Sequence, residues 1–213
     1  MQEGEVLHFG GQSMKRGYLL ATLLGFCCFL TGCSILEGFS PEVTGVSVSR
    51  NGTVTEVVRE SFDASYYSEE ELKSTVENEI TDYNSSHGDK AVKKKSLEVK
   101  DGEAQMRLVY DSYQNYAGFN HVDFYVGDIN GAIQAGYAFE GSFLPVSDGK
   151  AAEGSNVWGS SLMSGTNYKT VVVSEALLVE VPGKICYVSD GVKVTGKSEA
   201  VTEDSNVAYI LYE

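Results

Sequence analysis

Positive charge is what this sequence has least of, with 16 Lys+Arg against 30 Asp+Glu and a formal net charge of −14 at pH 7. That balance works against nucleic-acid phosphate and against anionic headgroups, which both need clustered basic surface, so no nucleic-acid partner is expected. Histidine is also scarce. After Cys33 only His87 and His121 remain, without paired cysteines, so a structural zinc site lacks ligands. Gly-x-Ser-x-Gly and Gly-x-Gly-x-x-Gly are absent, and residues 191–198 match Gly-x-x-x-x-Gly-Lys-Ser/Thr in letters only, since they run through a strand predicted over 192–195 with no helix predicted after it; neither a nucleophile elbow nor a nucleotide site is marked and no cofactor is expected. Cysteine offers no intrachain disulfide, because Cys27 and Cys28 lie in an N-terminal apolar run, Cys33 closes it, and Cys186 is left alone. Within the alternating Lys184-Ile185-Cys186-Tyr187-Val188, that thiol reads as a small buried hydrophobe. The apolar run itself, residues 17–29, is too short to cross a hydrocarbon layer of ~30 Å as a helix.

What is present begins with that run. Met14-Lys15-Arg16 gives it a basic head, and together they read as an export signal. Residues 1–13 are acidic for such a head, through Glu3 and Glu5, and Gly10-Gly11 lies shortly before Met14; a ribosome-binding site translated in frame would explain this, making Met14 the true start. The run ends in Leu30-Thr31-Gly32-Cys33, which resembles a bacterial lipobox. Small side chains at Thr31 and Gly32 admit a peptidase, and cleavage between Gly32 and Cys33 leaves the thiol to carry a diacylglyceryl group. Cys27 and Cys28 lack the small preceding residue that the cut requires. One acyl chain holds a protein only reversibly, at ~0.8 kcal/mol per buried CH₂, whereas two chains anchor it stably. The expectation is therefore a signal peptide over residues 1–32, a lipidated N-terminus and short linker over residues 33–41, and one α+β domain over residues 42–213, with a β-rich subdomain possible from about residue 168. Lys15, Arg16, Glu3 and Glu5 precede Cys33, which leaves 14 Lys+Arg and 28 Asp+Glu on the mature part, a balance that holds it off anionic lipid.

Hydrophobic residues at 42% and 13 Tyr supply enough apolar material for a core. Residues 43–58 alternate around Arg50-Asn51-Gly52-Thr53 and predict a hairpin, since Asn-Gly accepts the positive φ of a tight turn. Ser68-Glu69-Glu70-Glu71 follows with the spacing of a capping box, and Leu72, Val76, Ile80 and Tyr83 recur at helical period until residues 84–88 break it. The three consecutive carboxylates point in different directions, so they complement the helix dipole rather than converge on a metal. Lys90 and Lys93 to Lys95 read as a solvated connector, the alternative being contact with wall polymer or phosphate. A second hairpin is predicted over residues 96–110 through Lys100-Asp101-Gly102, then a short helix over residues 113–120, a strand over 122–126, and a helix capped by Asp128 and stopped by Gly136. Asp128-x-Asn130-Gly131 has the middle of a calcium loop but not its closing Glu. Residues 141–165, rich in Gly and Ser, read as containing a long loop, and strands are predicted over 168–174, 176–181, 184–189, 192–195 and 207–212. Val146-Ser147-Asp148-Gly149 and Val188-Ser189-Asp190-Gly191 look repeated, and shared turn chemistry explains that better than duplication. The class is α+β: antiparallel hairpins, one long amphipathic helix, one or two short helices, and a β-rich final third.

Phe62-Asp63 with Tyr66-Tyr67, Tyr116-Ala117-Gly118-Phe119-Asn120, Phe124-Tyr125-Val126-Gly127, Ala135-Gly136-Tyr137 and Val181-Pro182-Gly183-Lys184 together resemble an uncharacterised family of Gram-positive (Firmicute-type) surface lipoproteins with an N-terminal lipobox. The resemblance covers most of the mature chain and implies a protein held by lipid on the extracytoplasmic face of the cell membrane; it implies no activity. Two roles are weighed. The first is a noncatalytic envelope component that binds a ligand, glycan or neighbouring protein. The second is an extracellular glycan hydrolase, which needs two carboxyl groups about 5 to 10 Å apart. Trp158 with Tyr168, or Tyr113 with Tyr116, are the aromatic pairs available for stacking on sugar rings, although such residues more often pack a core.

Overall fold

The computed structural model describes residues 38–152, 154–163, 167–203 and 207–213. The expected signal peptide, the start at Met14, the cleavage site at Gly32 and Cys33, and the linker up to residue 37 lie outside the described residues. In chain order the first elements are β1 (Gly45–Val48), β2 (Val54–Ser61), α1 (Glu69–His87), β3 (Val92–Lys100), β4 (Glu103–Tyr110), α2 (Tyr113–Asn120), β5 (Phe124–Asp128) and α3 (Ile129–Gln134). There follow β6 (Ser142–Ser147), β7 (Lys150–Ala151), β8 (Val157–Trp158), α4 (Gly159–Leu162) and β9 (Lys169–Val173). The chain closes with β10 (Leu178–Glu180), β11 (Ile185–Ser189), β12 (Val192–Val194), β13 (Glu199–Thr202) and β14 (Ala208–Tyr212). This is a mixed α and β protein built on two sheets that are largely antiparallel.

Sheet A runs β12-β13-β10-β1-β2-β4-β3, and sheet B runs β5-β9-β14-β11-β6-β7, with β8 also paired to β6. The one parallel pairing in these registers joins β1 to β10. In sheet A, Val46, Val48, Val54, Leu108, Tyr110, Val92, Val179 and Ala200 share one face through the strand registers. They form a single buried cluster with Val171, Val173, Val188, Ile210 and Tyr212 of sheet B, so the two inner faces make one core. The opposite face of sheet B is also covered: Val172, Tyr209 and Leu211 pack with Ile129 and Ala132 of α3, Leu162 of α4 and Phe139. Covered on both faces, β14 is buried at all five positions, which is why its sequence is apolar throughout rather than alternating. The strands after residue 168 contribute to both sheets: β9, β11 and β14 to sheet B, β10, β12 and β13 to sheet A.

Local chemistry accounts for most elements. Ser68 caps α1 by accepting from the Glu71 amide (3.2 Å), with Glu69, Glu70 and Glu71 in the first turn. Leu72 and Val76 are the buried residues of α1, packed on Ala104 of the long β3–β4 hairpin. That hairpin turns at Asp101 (φ 53°) and Gly102 (φ 79°), two successive positive φ angles that strand twist favours. Asp148 (φ 50°) and Gly149 (φ 74°) turn β6 into β7 in the same way, whereas Asp190-Gly191 carries the chain from sheet B to sheet A. The look-alike tetrapeptides thus share turn chemistry in different settings.

Four expectations are corrected. First, α1 continues through residues 84–87, because Asn84 leaves the apolar stripe to clamp β3: its side chain donates to the Val92 carbonyl (2.9 Å) and accepts from the Val92 amide (2.9 Å). Second, Lys93 to Lys95 belong to edge strand β3 rather than to a connector; a register shift between Lys94 and Ser96 absorbs one residue, and Lys94 pairs with Glu77 on α1. Third, residues 141–165 hold β6, β7, β8 and α4, since β6 finds its partner in the distant β11. Fourth, β13 joins β12 to β10 although no strand is predicted there, its short polar sequence giving little period-2 signal.

Gly127 of the aromatic motifs and Gly131 of α3 are explained by close approach. The Tyr125 hydroxyl donates to the Asp128 carbonyl (3.2 Å), and a Cβ on Gly127 or Gly131 would come within 2.1 or 2.2 Å of that oxygen. We expect Gly131→Ala to destabilise the domain by roughly 1–3 kcal/mol through overpacking. In a Tyr125→Phe background the same change should be neutral or stabilising relative to Tyr125→Phe alone, because alanine's helix preference of about 1 kcal/mol remains. Urea denaturation of the singles and the double measures the coupling, and equal cost in both backgrounds contradicts the account.

Candidate functional site

The residues singled out by chemistry separate in space. His87 stacks on Tyr83 with ring centroids 3.9 Å apart and planes 5° apart, and its Nδ1 lies 3.0 Å from the Tyr83 carbonyl oxygen. His121 is the left-handed C-cap of α2 (φ 54°), where its amide donates to the Ala117 carbonyl, and its ring is exposed. Asp128 caps α3, its Oδ1 accepting from the Gly131 amide at 2.7 Å, so the half-motif for calcium has a helix to begin. Glu69 of the acidic triplet pairs with Lys73 one turn on (2.5 Å). Among the described residues, no three His, Cys, Asp or Glu side chains gather as a metal site.

The aromatic pairs also part. Tyr116 is buried, edge-on to Tyr110 (5.2 Å) and Phe124 (4.6 Å), while Tyr113 turns to Tyr125 (5.2 Å). Tyr168 packs on Tyr187 (5.5 Å), and Trp158 stands 68% exposed on β8. Cys186 is half-buried rather than buried, because the register of β11 shifts between Ile185 and Tyr187. Burial, then the Glu213 charge, pushes its thiol pKa up, which disfavours the nucleophilic thiolate.

One constellation escaped the sequence reading. Glu56 occupies a core-facing position of β2 yet is only 5% exposed. Its Oε2 accepts from the Tyr110 hydroxyl at 2.6 Å and from Asn120 Nδ2 at 3.4 Å, and the same amide donates to Tyr110 Oη at 3.1 Å. Next to it, the Tyr116 hydroxyl donates to Glu175 Oε2 at 3.0 Å. Strands β2 and β4, helix α2 and the β9–β10 connection are thereby joined through two carboxylates and two phenols. A signal was available: Val54, Glu56 and Val58 fall in one phase of the strand, so a carboxylate interrupts the inward row.

The cluster is enclosed at Glu56, Tyr110 and Tyr116, while Asn120 and Glu175 are half-buried. Tyr110 is 0% and Tyr116 1% exposed, and two cavities on the described surface are lined by other residues. The larger cavity, about 340 Å³, lies at an end of the sheets among Arg50, Gly127, Lys169, Gly183 and Tyr212. The smaller, about 240 Å³, lies on the outer side of the β3–β4 hairpin among Arg59, Glu98, Lys100, Asp101, Glu103 and Gln105, where Arg59 pairs with Glu103 (2.5 Å). Around the tip of that hairpin the surface also carries stacked aromatics. Phe62 and Tyr67 stack with centroids 4.8 Å apart, and Tyr66, 73% exposed, meets Tyr67 edge-on at 4.9 Å. Comparison of the chain with protein-family models, curated proteins and solved structures returns no match.

Burial, then the charge of Glu56, raises the Tyr110 hydroxyl well above the ordinary tyrosine pKa. A raised folded pKa contributes stability that is whole below the unfolded value near 10 and is lost as pH climbs above it. The unfolding free energy should therefore fall above about pH 10, and Tyr110→Phe should flatten that slope by up to about 1.4 kcal/mol per pH unit. Equal slopes in denaturant titrations of both proteins between pH 9 and about 11 would refute this. Glu56→Ala should cost about 3 kcal/mol, and Glu56→Gln less, since an amide oxygen still accepts from Tyr110; equal costs argue against the hydrogen bond.

Proposed function

We propose that this chain is a bacterial lipoprotein, held by a palmitate-type lipid anchor on the extracytoplasmic face of the cell membrane, whose domain is a noncatalytic binding component of the envelope. The observation that carries the reading is Leu30-Thr31-Gly32-Cys33 at the end of the apolar run over residues 17–29, behind Met14-Lys15-Arg16. In this reading Gly32 and Cys33 flank the cleaved bond, Cys33 bears the lipid, and the resemblance to Gram-positive surface lipoproteins follows from the same motif and the aromatic and glycine signatures. The long helix α1 serves as an amphipathic brace, laying Leu72 and Val76 on the β3–β4 hairpin. Partners are met through exposed loops and sheet ends, and are an envelope protein or a glycan.

The acids of the tyrosine cluster supply no hydrolytic pair, and of those lining the smaller cavity, Glu98, Asp101 and Glu103, the last is paired with Arg59. A glycoside hydrolase needs its two carboxyl groups to face a sugar. The carboxylates that tyrosines hold here, Glu56 and Glu175, are used in tying elements together, and Glu56 is closed off from solvent.

The anchor is tested by expressing the full chain in a Gram-positive host with labelled palmitate. The native chain should incorporate label and fractionate with membranes; Cys33→Ala should lose the label and accumulate unprocessed or leave the membrane fraction. Undiminished labelling of Cys33→Ala would overturn the anchoring and the localisation with it.

A further inference from the structure

The loop between β2 and α1 joins two features that the core does not require. Its aromatics are stacked in sequence, Phe62 on Tyr67 and Tyr67 against Tyr66, with Phe62 alone packed against the α1 cluster. Tyr66 is the most exposed of the large apolar side chains described, at 73%, so its ring presents a face to solvent. The same segment, residues 60–72, carries Glu60, Asp63, Glu69, Glu70 and Glu71; of the flanking cations, Arg59 is paired with Glu103 and Lys73 with Glu69, which leaves Glu60, Asp63, Glu70 and Glu71 for a partner. Partial burial, the Tyr66 hydroxyl, and then the charges of Asp63 and Glu60 all hold the Tyr67 hydroxyl above its ordinary pKa, so phenols and carboxylates sit within electrostatic reach of one another.

We propose that this loop and the first turn of α1 form a docking surface for an arginine-rich polypeptide segment. A guanidinium over an aromatic face gains both from the ring quadrupole and from planar stacking, worth about 0.5–1 kcal/mol at an exposed site. Carboxylates beside the ring add attraction and hydrogen-bond acceptors for the guanidinium edge. A single small cation gains little, because Tyr66 stands open and no second ring closes a cage over it. A chain of cations spaced along a peptide meets the ring together with Asp63 and Glu60 and those first-turn carboxylates that face the loop, Glu69 being held by Lys73, and charge complementarity selects it over an acidic or neutral segment. The inference rests on the binding role proposed above and names its partner chemistry.

The test uses the full chain in nonionic detergent with a labelled hexa-arginine peptide, read by fluorescence anisotropy at low and at physiological salt. The native chain should bind, more weakly as salt rises. Tyr66→Ala and Asp63→Asn should each weaken binding by about three- to tenfold. Tyr66→Phe keeps the ring face and should stay within about twofold, and so should Glu140→Gln, which removes an exposed carboxylate elsewhere. Circular dichroism of each variant checks that the fold is kept. Absence of hexa-arginine binding overturns the proposal, as does equal loss in Tyr66→Ala and Glu140→Gln or no loss in either, which would mean diffuse attraction to an acidic protein. It is likewise overturned if chito-oligosaccharide binds through Tyr66 and hexa-arginine does not compete. None of these outcomes bears on palmitate labelling at Cys33, so the two proposals fail separately.

Discussion

A carboxylate facing a hydrophobic core is costly unless its oxygens are satisfied, and in this protein that constraint fixes where α2 lies on sheet A. Glu56 lies in the row of side chains that sheet A presents inward, beside Val46 and Leu108, and it is kept there by the Tyr110 hydroxyl and the Asn120 amide. Because Asn120 ends α2 and Tyr110 ends β4, the bond network sets the position of α2 against the sheet. Tyr116, one turn earlier on α2, then reaches Glu175 between β9 and β10. A purely apolar row would pack as well but would tolerate sliding; hydrogen bonds at 2.6 and 3.0 Å admit one arrangement.

The aromatic and glycine motifs describe the same region from the packing side. Tyr83 of α1 lies against Phe119 of α2, and a Cβ on Gly118 would meet the Tyr83 hydroxyl at 2.6 Å, so a glycine lets the two helices approach. Gly183 plays a comparable part at the crossing from sheet A to sheet B, where a Cβ would come 2.0 Å from the Glu213 carbonyl oxygen, which accepts from the Lys184 amide. Gly118 and Gly127 thus leave room for a tyrosine, Gly183 leaves room for a carbonyl oxygen, and Gly136 is required by its positive φ alone. These are demands of packing and backbone conformation, and they say nothing about catalysis.

What could be read from the sequence was whatever neighbouring residues decide among themselves. Ser68 before Glu71, Asp101 before Gly102, and Asp128 before Gly131 each complete a cap or turn within four residues, and all lie where the local pattern puts them. The final turn of α1, strand β6 and strand β13 depend on Val92, on β11 and on β10, none of which is adjacent in the chain. Likewise the phase of Val54 and Glu56 signals an acid turned inward, but Tyr110, its hydrogen-bond partner, stands 54 residues away. Tyr66-Tyr67 was visible as a motif; that Tyr66 stands exposed while Phe62 packs on the α1 cluster is a property of the fold alone.

Strand order carries a consequence for how the chain acquires its structure. β14 follows every other strand in the sequence and lies between β9 and β11 in the middle of sheet B. Sheet A in turn waits for β10 to lie parallel to β1, more than a hundred residues after it. Sheet B therefore cannot be completed before residues 208–212 are available, whereas β2, β3 and β4 with α1 pair among near neighbours and can form earlier. Removing residues 208–212 would leave β9 and β11 without the strand that joins them.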